Sequence, residues 1–85
     1  MPAPRLTLLG KPGCHLCDDA RAIVLEVAGE RGLGLEEKNI LEDEALLAQY
    51  AEEIPVLLID DRVHTIWRVD PERLRRALDA REESA

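Results

Sequence analysis

The two cysteines of this chain, Cys14 and Cys17, constrain its fold more than any other feature of the sequence. They are separated by two residues, follow the apolar run 6–9, and precede a segment with apolar residues at helical spacing. Pro12 and Gly13 lie directly before Cys14, and this pair of residue types marks a turn. The pattern predicts a strand, a tight turn and the first turn of a helix, with both thiols at the junction.

The rest of the chain predicts a mixed sheet with helices on its faces. In chain order, the predicted elements are a buried strand 6–9, a helix from Leu16 ended by Gly29, Gly32 and Gly34, an edge strand 35–40, a helix 43–50, a buried strand 56–59, a returning strand 62–67 and a helix that begins at Pro71. A parallel first half followed by an antiparallel hairpin is an α/β arrangement, with four strands and three helices.

Local signals support the two longer helices. The first helix has a predicted buried stripe of Leu16, Ala20, Ile23, Val24 and Val27. For the last helix, Asp70 is the predicted N-cap and Pro71 the first helical residue. Val69 is expected to pack on Leu74 as a hydrophobic staple. Asp60-Asp61 is the predicted two-residue turn of the hairpin.

Size and charge limit the classes of function. The 85 residues predict a single domain 1–85 with loose ends at 1–4 and 81–85, and we expect a monomer. A net charge of −7 disfavours nucleic acid and membrane partners. No apolar run approaches the roughly 18–20 residues that span a bilayer, and the first residues lack the apolar core of a secretion signal. We therefore expect a cytoplasmic protein, in which paired cysteines are more often redox-active or metal-binding than structural.

A thiolate rather than a thiol attacks a disulfide, so a redox site must lower the pKa of one cysteine. Cys14 is predicted at a helix N-terminus, where unpaired N–H groups and the helix dipole favour an anion. Lys11 is close in sequence and adds positive charge, as does His15 when protonated. The carboxylates of Asp18 and Asp19 oppose a thiolate, because nearby negative charge disfavours a second anion.

The order of elements, with Cys14-His15-Leu16-Cys17 after the first strand and Ile54-Pro55-Val56 opening the third, resembles the thioredoxin superfamily. Within it, the chain is most similar to short bacterial glutaredoxin-like proteins, over Leu6 to about Leu78. The resemblance implies a thiol–disulfide oxidoreductase without a cofactor, in which Cys14 attacks the disulfide of a protein or small molecule and Cys17 resolves the mixed disulfide.

The resemblance also implies a substrate-binding surface around the dithiol. The peptide bond between Ile54 and Pro55 would be cis and would face the cysteines, and the backbone of Ile54 would pair with an extended substrate segment. Lys11 matches a basic residue that meets the thiolate or the glutathione carboxylate in the family. The candidate substrate-binding residues are therefore Lys11, His15, Ile54 and Pro55. The reductant, glutathione or a donor of the thioredoxin-reductase type, stays open.

Two departures from the family pattern argue against strong glutathione dependence. Glutathione-using glutaredoxins carry two glycines after the last strand, where the backbone approaches the tripeptide, and this chain has Trp67-Arg68 there. Between their cysteines they usually carry a proline and an aromatic residue, and this chain has His15-Leu16.

Other interpretations stay open at this point. The two cysteines could be small buried residues without a chemical role. They could also be half of a metal site. Because a closed zinc site needs four ligands, such a site would be completed by a second chain or by an added thiol. The alternative function is a non-catalytic thioredoxin-fold binding module or a carrier of zinc or an iron–sulfur cluster. Lys11 could be a solvated loop residue, His15 could tune the potential rather than carry a proton, and Trp67 could simply pack at the sheet edge.

Overall fold

The structure, a computed structural model, describes residues 3–84, and the side chains of residues 3–81. Its strands are β1 (Leu6–Gly10), β2 (Leu35–Asn39), β3 (Val56–Ile59) and β4 (Arg62–Ile66). Its helices are α1 (His15–Glu30), α2 (Glu44–Tyr50) and α3 (Pro71–Ser84), with a 3-10 turn (Ile40–Glu42) between β2 and α2.

The four strands form one mixed sheet in the order β2-β1-β3-β4. β1 pairs parallel to β2, with Leu6 opposite Leu35, and antiparallel to β3, with Leu6 opposite Ile59. β3 and β4 form the antiparallel hairpin. The predicted α/β class, the parallel first half and the antiparallel second half are therefore confirmed.

The apolar core lies in two clusters of buried side chains. The larger contains residues of β1, α1, β3 and α3: Leu6, Leu8, Ala20, Val24, Val27, Ala28, Leu57, Val69, Leu74 and Leu78. The smaller cluster joins the start of α1 to the sheet and to the segment before β3: Leu9, Cys17, Ile40, Ile54 and Val56. Because Cys17 belongs to the core, the packing that holds the sheet together also fixes the position of its sulfur.

The predicted cap of α3 and the predicted hairpin turn are both confirmed. The Asp70 carboxylate accepts hydrogen bonds from the backbone N–H groups of Glu72 (2.9 Å) and Arg73 (3.4 Å). In the turn, Asp60 and Asp61 both have positive φ, 52° and 67°. A two-residue hairpin of this hand matches the right-handed twist of its strands, and aspartate tolerates the left-handed region better than most residues.

Three local predictions were wrong. Leu16, predicted on the buried stripe of α1, is 41% exposed, and the residue of the first turn that enters the core is Cys17 instead. The strand predicted over 62–67 ends at Ile66, since Trp67 has a φ of 67°, which interrupts extended backbone. Ile40 leaves the edge strand and begins the 3-10 turn, where its side chain is buried.

The two ends of the chain meet at the hairpin turn. The Asp60 carboxylate accepts from the backbone N–H of Arg5 (3.0 Å) and from the Arg81 guanidinium (2.6 Å), and Arg5 also contacts Asp61. The hydrogen bond from the Arg5 backbone N–H lowers the pKa of Asp60 most, and the hydrogen bond from Arg81 lowers it further.

α3 continues to Ser84, further than predicted. The predicted looseness of residues 1, 2 and 85 lies outside the described residues. None of the helices within 3–84 is long and apolar enough to cross a membrane.

His64 gives the domain a pH-dependent stability. Burial on β4 lowers its pKa, and the Arg73 guanidinium lowers it further; within the described part of the chain its Nε2 has no hydrogen-bond partner. Because the unfolded histidine titrates near 6.5, the unfolded chain binds the proton more readily than the folded chain. The free energy of unfolding is therefore expected to fall as pH drops from about 7 through about 6.5 toward the folded pKa. Urea unfolding at stepped pH should show a shallower fall in His64→Gln than in wild type. Equal pH dependence in His64→Gln and wild type would contradict this.

Candidate redox site

Cys14 and Cys17 form a disulfide at the start of α1, with their Cα atoms 5.2 Å apart. Gly13, with a φ of 76°, supplies the left-handed backbone that turns the chain into the helix. Cys14 is partly exposed, and Cys17 is 1% exposed. An incoming group can therefore reach the Cys14 sulfur, while the Cys17 sulfur is enclosed by the core.

Cys14 is the N-cap residue of α1. Its Sγ accepts a hydrogen bond from the backbone N–H of Cys17 (3.1 Å), and its carbonyl accepts from Asp18 (3.1 Å). An N–H group directed at the sulfur, at the positive end of a 16-residue helix, favours a thiolate at Cys14 once the disulfide is reduced.

The charges beside the dithiol are arranged differently from what the sequence suggested. Asp18 forms an ion pair with Arg21 (2.9 Å), and Arg21 also binds Glu37 on β2. The hydrogen bond that Arg21 donates to Glu37, and then the one that it donates to Asp18, raises the pKa of Arg21. Arg21 is thus shared between two carboxylates, and the three side chains together keep one net negative charge.

The predicted binding residues lie on both sides of the dithiol. Lys11 is exposed and lines a cavity of about 310 Å³ that reaches Cys17. His15 is exposed as the first residue of α1. Ile54 packs in the same buried cluster as Cys17, and Pro55 is fully buried beside it in sequence. The Ile54–Pro55 peptide bond is cis, the isomer that the resemblance implies.

The segment after β4 is fastened to the cis-proline loop. The backbone N–H of Trp67 donates to the Pro55 carbonyl (2.8 Å), and its indole N–H donates to the Glu52 carbonyl (3.1 Å). Trp67 therefore fills, in a left-handed conformation that glycine adopts most easily, the place where the family's glutathione-using members carry a glycine pair.

Sequence reasoning missed Arg21 and Glu37 as residues of the site. Arg21 was visible only as a polar position of the α1 helix, and Glu37 as a residue of an edge strand. Parallel pairing of β1 and β2, with Leu8 opposite Glu37, brings them together. No sequence signal short of the sheet register locates such a pair.

No group of three or more histidine, cysteine, aspartate or glutamate side chains is placed to hold a metal ion among the described residues. The cysteines are instead bonded to each other.

Gly10 leaves room for the Cys17 sulfur. A Cβ at this position would lie 3.0 Å from Cys17 Sγ and 3.3 Å from its Cβ. We expect Gly10→Ala to displace the sulfur, to lower the free energy of unfolding by about 1–3 kcal/mol, and to slow release of a mixed disulfide by Cys17. The matched control is Gly34→Ala, where a Cβ would meet no atom within 4 Å. Denaturant unfolding and the lifetime of the mixed disulfide measure both effects, and equal behaviour of the two variants would refute the packing argument.

The fold and this site together define a small thioredoxin-fold protein with a Cys-x-x-Cys disulfide at the N-terminus of its first helix. Residues 5–79 match the family described as the Glutaredoxin-like domain, and the chain belongs to that family. An uncharacterized protein of Mycobacterium tuberculosis is 34% identical over 82 residues, which cover 88% of this chain and 82% of that protein.

Solved structures agree with the fold. The structural genomics target XcR50 from X. campestris superposes with a TM-score of 0.73 at 37% identity, covering 88% of this chain and 96% of that one. The protein Ne2328 from Nitrosomonas europaea gives a TM-score of 0.78 at 25% identity, covering 91% and 93%. A mutant thioredoxin from Halobacterium salinarum has the same fold, with a TM-score of 0.65 at 18% identity over 91% of this chain and 73% of its own.

Proposed function

We propose that this chain is a dithiol–disulfide oxidoreductase that reduces the disulfides of proteins or small molecules. The observation that carries the proposal is the position of the two sulfurs. Cys14 is accessible and receives an N–H at a helix N-terminus, while Cys17 is buried one turn further along. This asymmetry suits one attacking and one resolving thiol.

In the proposed cycle, the Cys14 thiolate attacks one sulfur of the substrate disulfide. A bond forms between Cys14 and that sulfur, the substrate S–S bond breaks, and the leaving thiolate takes up a proton. Cys17 then loses its proton and attacks the Cys14 sulfur, which forms the internal disulfide and releases the second substrate thiol. The substrate gains two electrons and two protons, and the protein dithiol loses them.

The resolving step benefits from the fold. The two cysteines are three residues apart on one helical turn, so the attack is intramolecular and has a large entropic advantage. A thiol donor then returns two electrons to the Cys14–Cys17 disulfide and closes the cycle. We propose the cis Ile54–Pro55 segment, with Lys11 and His15, as the surface that receives the substrate.

The donor preference follows from the segment after β4. Trp67 has a bulky side chain where glutathione would need close backbone approach. Its indole N–H is bonded to the Glu52 carbonyl, and its backbone N–H is bonded to the Pro55 carbonyl. We therefore expect glutathione with its reductase to support turnover poorly and a small dithiol to support it well.

The test is steady-state reduction of bis(2-hydroxyethyl) disulfide by the wild-type chain, with dithiothreitol or glutathione as electron donor. Turnover above the uncatalysed exchange with dithiothreitol is expected, with a much lower kcat/KM for glutathione. Absence of turnover with every donor would refute the redox function. Equal efficiency of both donors would refute only the argument from Trp67.

A further inference from the structure

Three arginines beside the last helix have no part in the chemistry described above. Arg62 lies on β4, and Arg73 and Arg76 lie on α3. Their side chains are exposed, and none forms an ion pair with another residue of the described chain. Acidic residues outnumber basic ones by 18 to 11 in the sequence, so a shortage of carboxylates does not explain the missing partners. We call these three residues the β4–α3 arginine surface.

The fold brings the three arginines to one side of the molecule. α3 returns alongside β4, because it begins shortly after β4 ends and its Arg81 guanidinium reaches Asp60, just before β4 begins (2.6 Å). Arg73 and Arg76 lie between these two ends, and residues three apart are neighbours on a helix surface. The Arg73 guanidinium is near enough to His64, in the middle of β4, to lower the pKa of that histidine. The arginines therefore lie along the edge of the sheet that β4 forms.

The carboxylates next to Arg62 are bonded elsewhere. Asp60 accepts from Arg81, and Asp61 contacts Arg5. Both contacts fasten the hairpin turn to the two ends of the chain. Arg62 follows these two acidic residues directly in sequence and is still left without a carboxylate.

The carboxylates next to the two arginines of α3 are engaged as well. On the helix surface, Arg73 has one acidic neighbour a turn before it, and Arg76 has one a turn before it and one a turn after it. Each of the three has another role: Asp70 caps the helix, Glu72 binds Arg75, and Asp79 binds Arg31 (2.7 Å). The pairs of Glu72 and Asp79 tie α3 to itself and to α1, so the cations on the β4 side of the helix stay open to an external anion.

A cavity of about 510 Å³ adjoins these cations. It is formed by the β3–β4 hairpin and the last part of α3, and its lining residues are Ile59, Asp60, Arg62, Val63, His64 and Arg81. Val63 is 52% exposed and, with Ile59, makes part of the lining apolar. A single carboxylate or phosphate would reach only one or two guanidinium groups and would leave most of this volume empty. A chain that carries several carboxylates and one large apolar side chain fits both the cations and the cavity.

A short acidic segment suits this surface better than a nucleic acid does. A net charge of −7 opposes a long polyanion, whose phosphates would extend over the rest of the chain. The charge of a few carboxylates can be confined to the three arginines, and at physiological ionic strength charges more than about 8 Å away are largely screened. Charge complementarity therefore favours a protein segment with a few acidic residues.

We propose that the β4–α3 arginine surface docks a short acidic segment of a partner protein. The carboxylates of the segment bind Arg62, Arg73 and Arg76, and one apolar side chain enters the adjoining cavity. The inference goes beyond the proposed function, because this docking requires neither cysteine and would hold whether or not the dithiol turns over.

NMR titration of labelled wild type tests the docking. The probe is the blocked peptide Glu-Glu-Leu-Glu-Glu. The comparison peptide Gln-Gln-Leu-Gln-Gln removes the charge, and Glu-Glu-Ser-Glu-Glu removes the apolar side chain. The probe should shift the amides of residues 62–64 and 73–76, and should bind about tenfold more tightly than the glutamine peptide and about threefold more tightly than the serine peptide. Equal binding of either comparison peptide, or shifts confined to other residues, would overturn the proposal.

The variants are Arg62→Gln, Arg73→Gln and Arg76→Gln, each at an exposed position where the fold has little to lose. Each should weaken binding of the probe about threefold, and the triple variant about twentyfold. The matched control is Lys38→Gln, which makes the same change in net charge at an exposed position on β2, the opposite edge of the sheet. Its affinity should equal that of wild type. The proposal is overturned if Lys38→Gln weakens binding as much as the arginine variants do, because net charge alone would then explain the binding.

Three other occupants are outcomes of the same experiment. Inorganic phosphate at matched ionic strength, or a single-stranded thymidine decamer, overturns the proposal if it shifts the same amides and binds more tightly than the probe. A dimer in sedimentation that the triple variant abolishes overturns it in favour of a second copy of the chain. A monomer that prefers the acidic leucine peptide to phosphate and to the decamer supports the acidic protein segment.

Discussion

Replacement of Cys14 with serine is expected to reduce disulfide turnover to the uncatalysed rate. The hydroxyl of serine is not ionised near neutral pH and forms no mixed disulfide, so neither half of the cycle can begin. The N-cap hydrogen bond to the Cys17 N–H can be made by the serine oxygen, because serine is among the preferred N-cap residues. The variant should therefore remain folded, and its loss of turnover is a loss of chemistry.

Cys17→Ser is the matched control for this prediction. It keeps the attacking sulfur and removes the resolving one, so a stable mixed disulfide between Cys14 and the substrate should accumulate and be visible by mass spectrometry. Full activity in Cys14→Ser, or a trapped mixed disulfide on Cys17 in that variant, would show that the roles of the two cysteines are wrongly assigned.

The second large effect is on stability. Leu57 is 0% exposed on the inner strand β3 and lies in the larger core cluster with residues of both long helices. Leu57→Ala is expected to lower the free energy of unfolding by about 2–5 kcal/mol, through lost transfer free energy and an unfilled cavity. The free energy of unfolding of a domain of this size is about 5–10 kcal/mol, so this substitution removes a large share of it.

Urea unfolding followed by circular dichroism measures this change. Leu25→Ala provides the comparison, because the same side chain is removed from an exposed helical position that has little packing to lose. We expect it to lie within about 0.5 kcal/mol of wild type. A loss at Leu57 no larger than at Leu25 would contradict the assignment of the core.

The elements that the sequence predicted well are those with local causes. The run 6–9 is apolar except for Thr7, and all four residues are buried, because β1 is an inner strand covered on both faces. Asp70 and Pro71 mark the start of α3 with chemistry that acts within one turn. The local pattern around Cys14 and Cys17 was enough to predict that both thiols lie at the start of a helix.

The features that were mispredicted or missed depend on contacts between distant segments. Helical spacing assigned Leu16 to the buried stripe, but burial also requires a partner, and Leu16 remains 41% exposed beside the segment after β4. Trp67 fits the alternation of β4, yet its hydrogen bonds to Pro55 and Glu52 bend the backbone away from the strand. Both positions line the cavity between α1 and the segment after β4, and local pattern and final structure disagree there.

The electrostatics of the site show the same dependence on tertiary structure. The sequence placed Asp18 and Asp19 together as groups that oppose a thiolate. In the structure Asp18 is paired with Arg21, which also reaches Glu37 on the sheet. Of the two aspartates, Asp19 is the one that has no ion pair with a described residue. A count of charges near Cys14 in the sequence includes neither the pairing of Asp18 with Arg21 nor the Glu37 carboxylate that shares it.

Equilibrium between the dithiol and the disulfide tests the central claim most directly. The wild-type chain is equilibrated in mixtures of reduced and oxidised dithiothreitol, free thiols are alkylated, and the products are counted by mass spectrometry. We predict one two-electron transition in which Cys14 and Cys17 are lost to alkylation together within a single chain, at a potential between about −270 and −120 mV. Independent oxidation of the two thiols, or disulfides only between chains, would contradict a dithiol redox centre at Cys14 and Cys17.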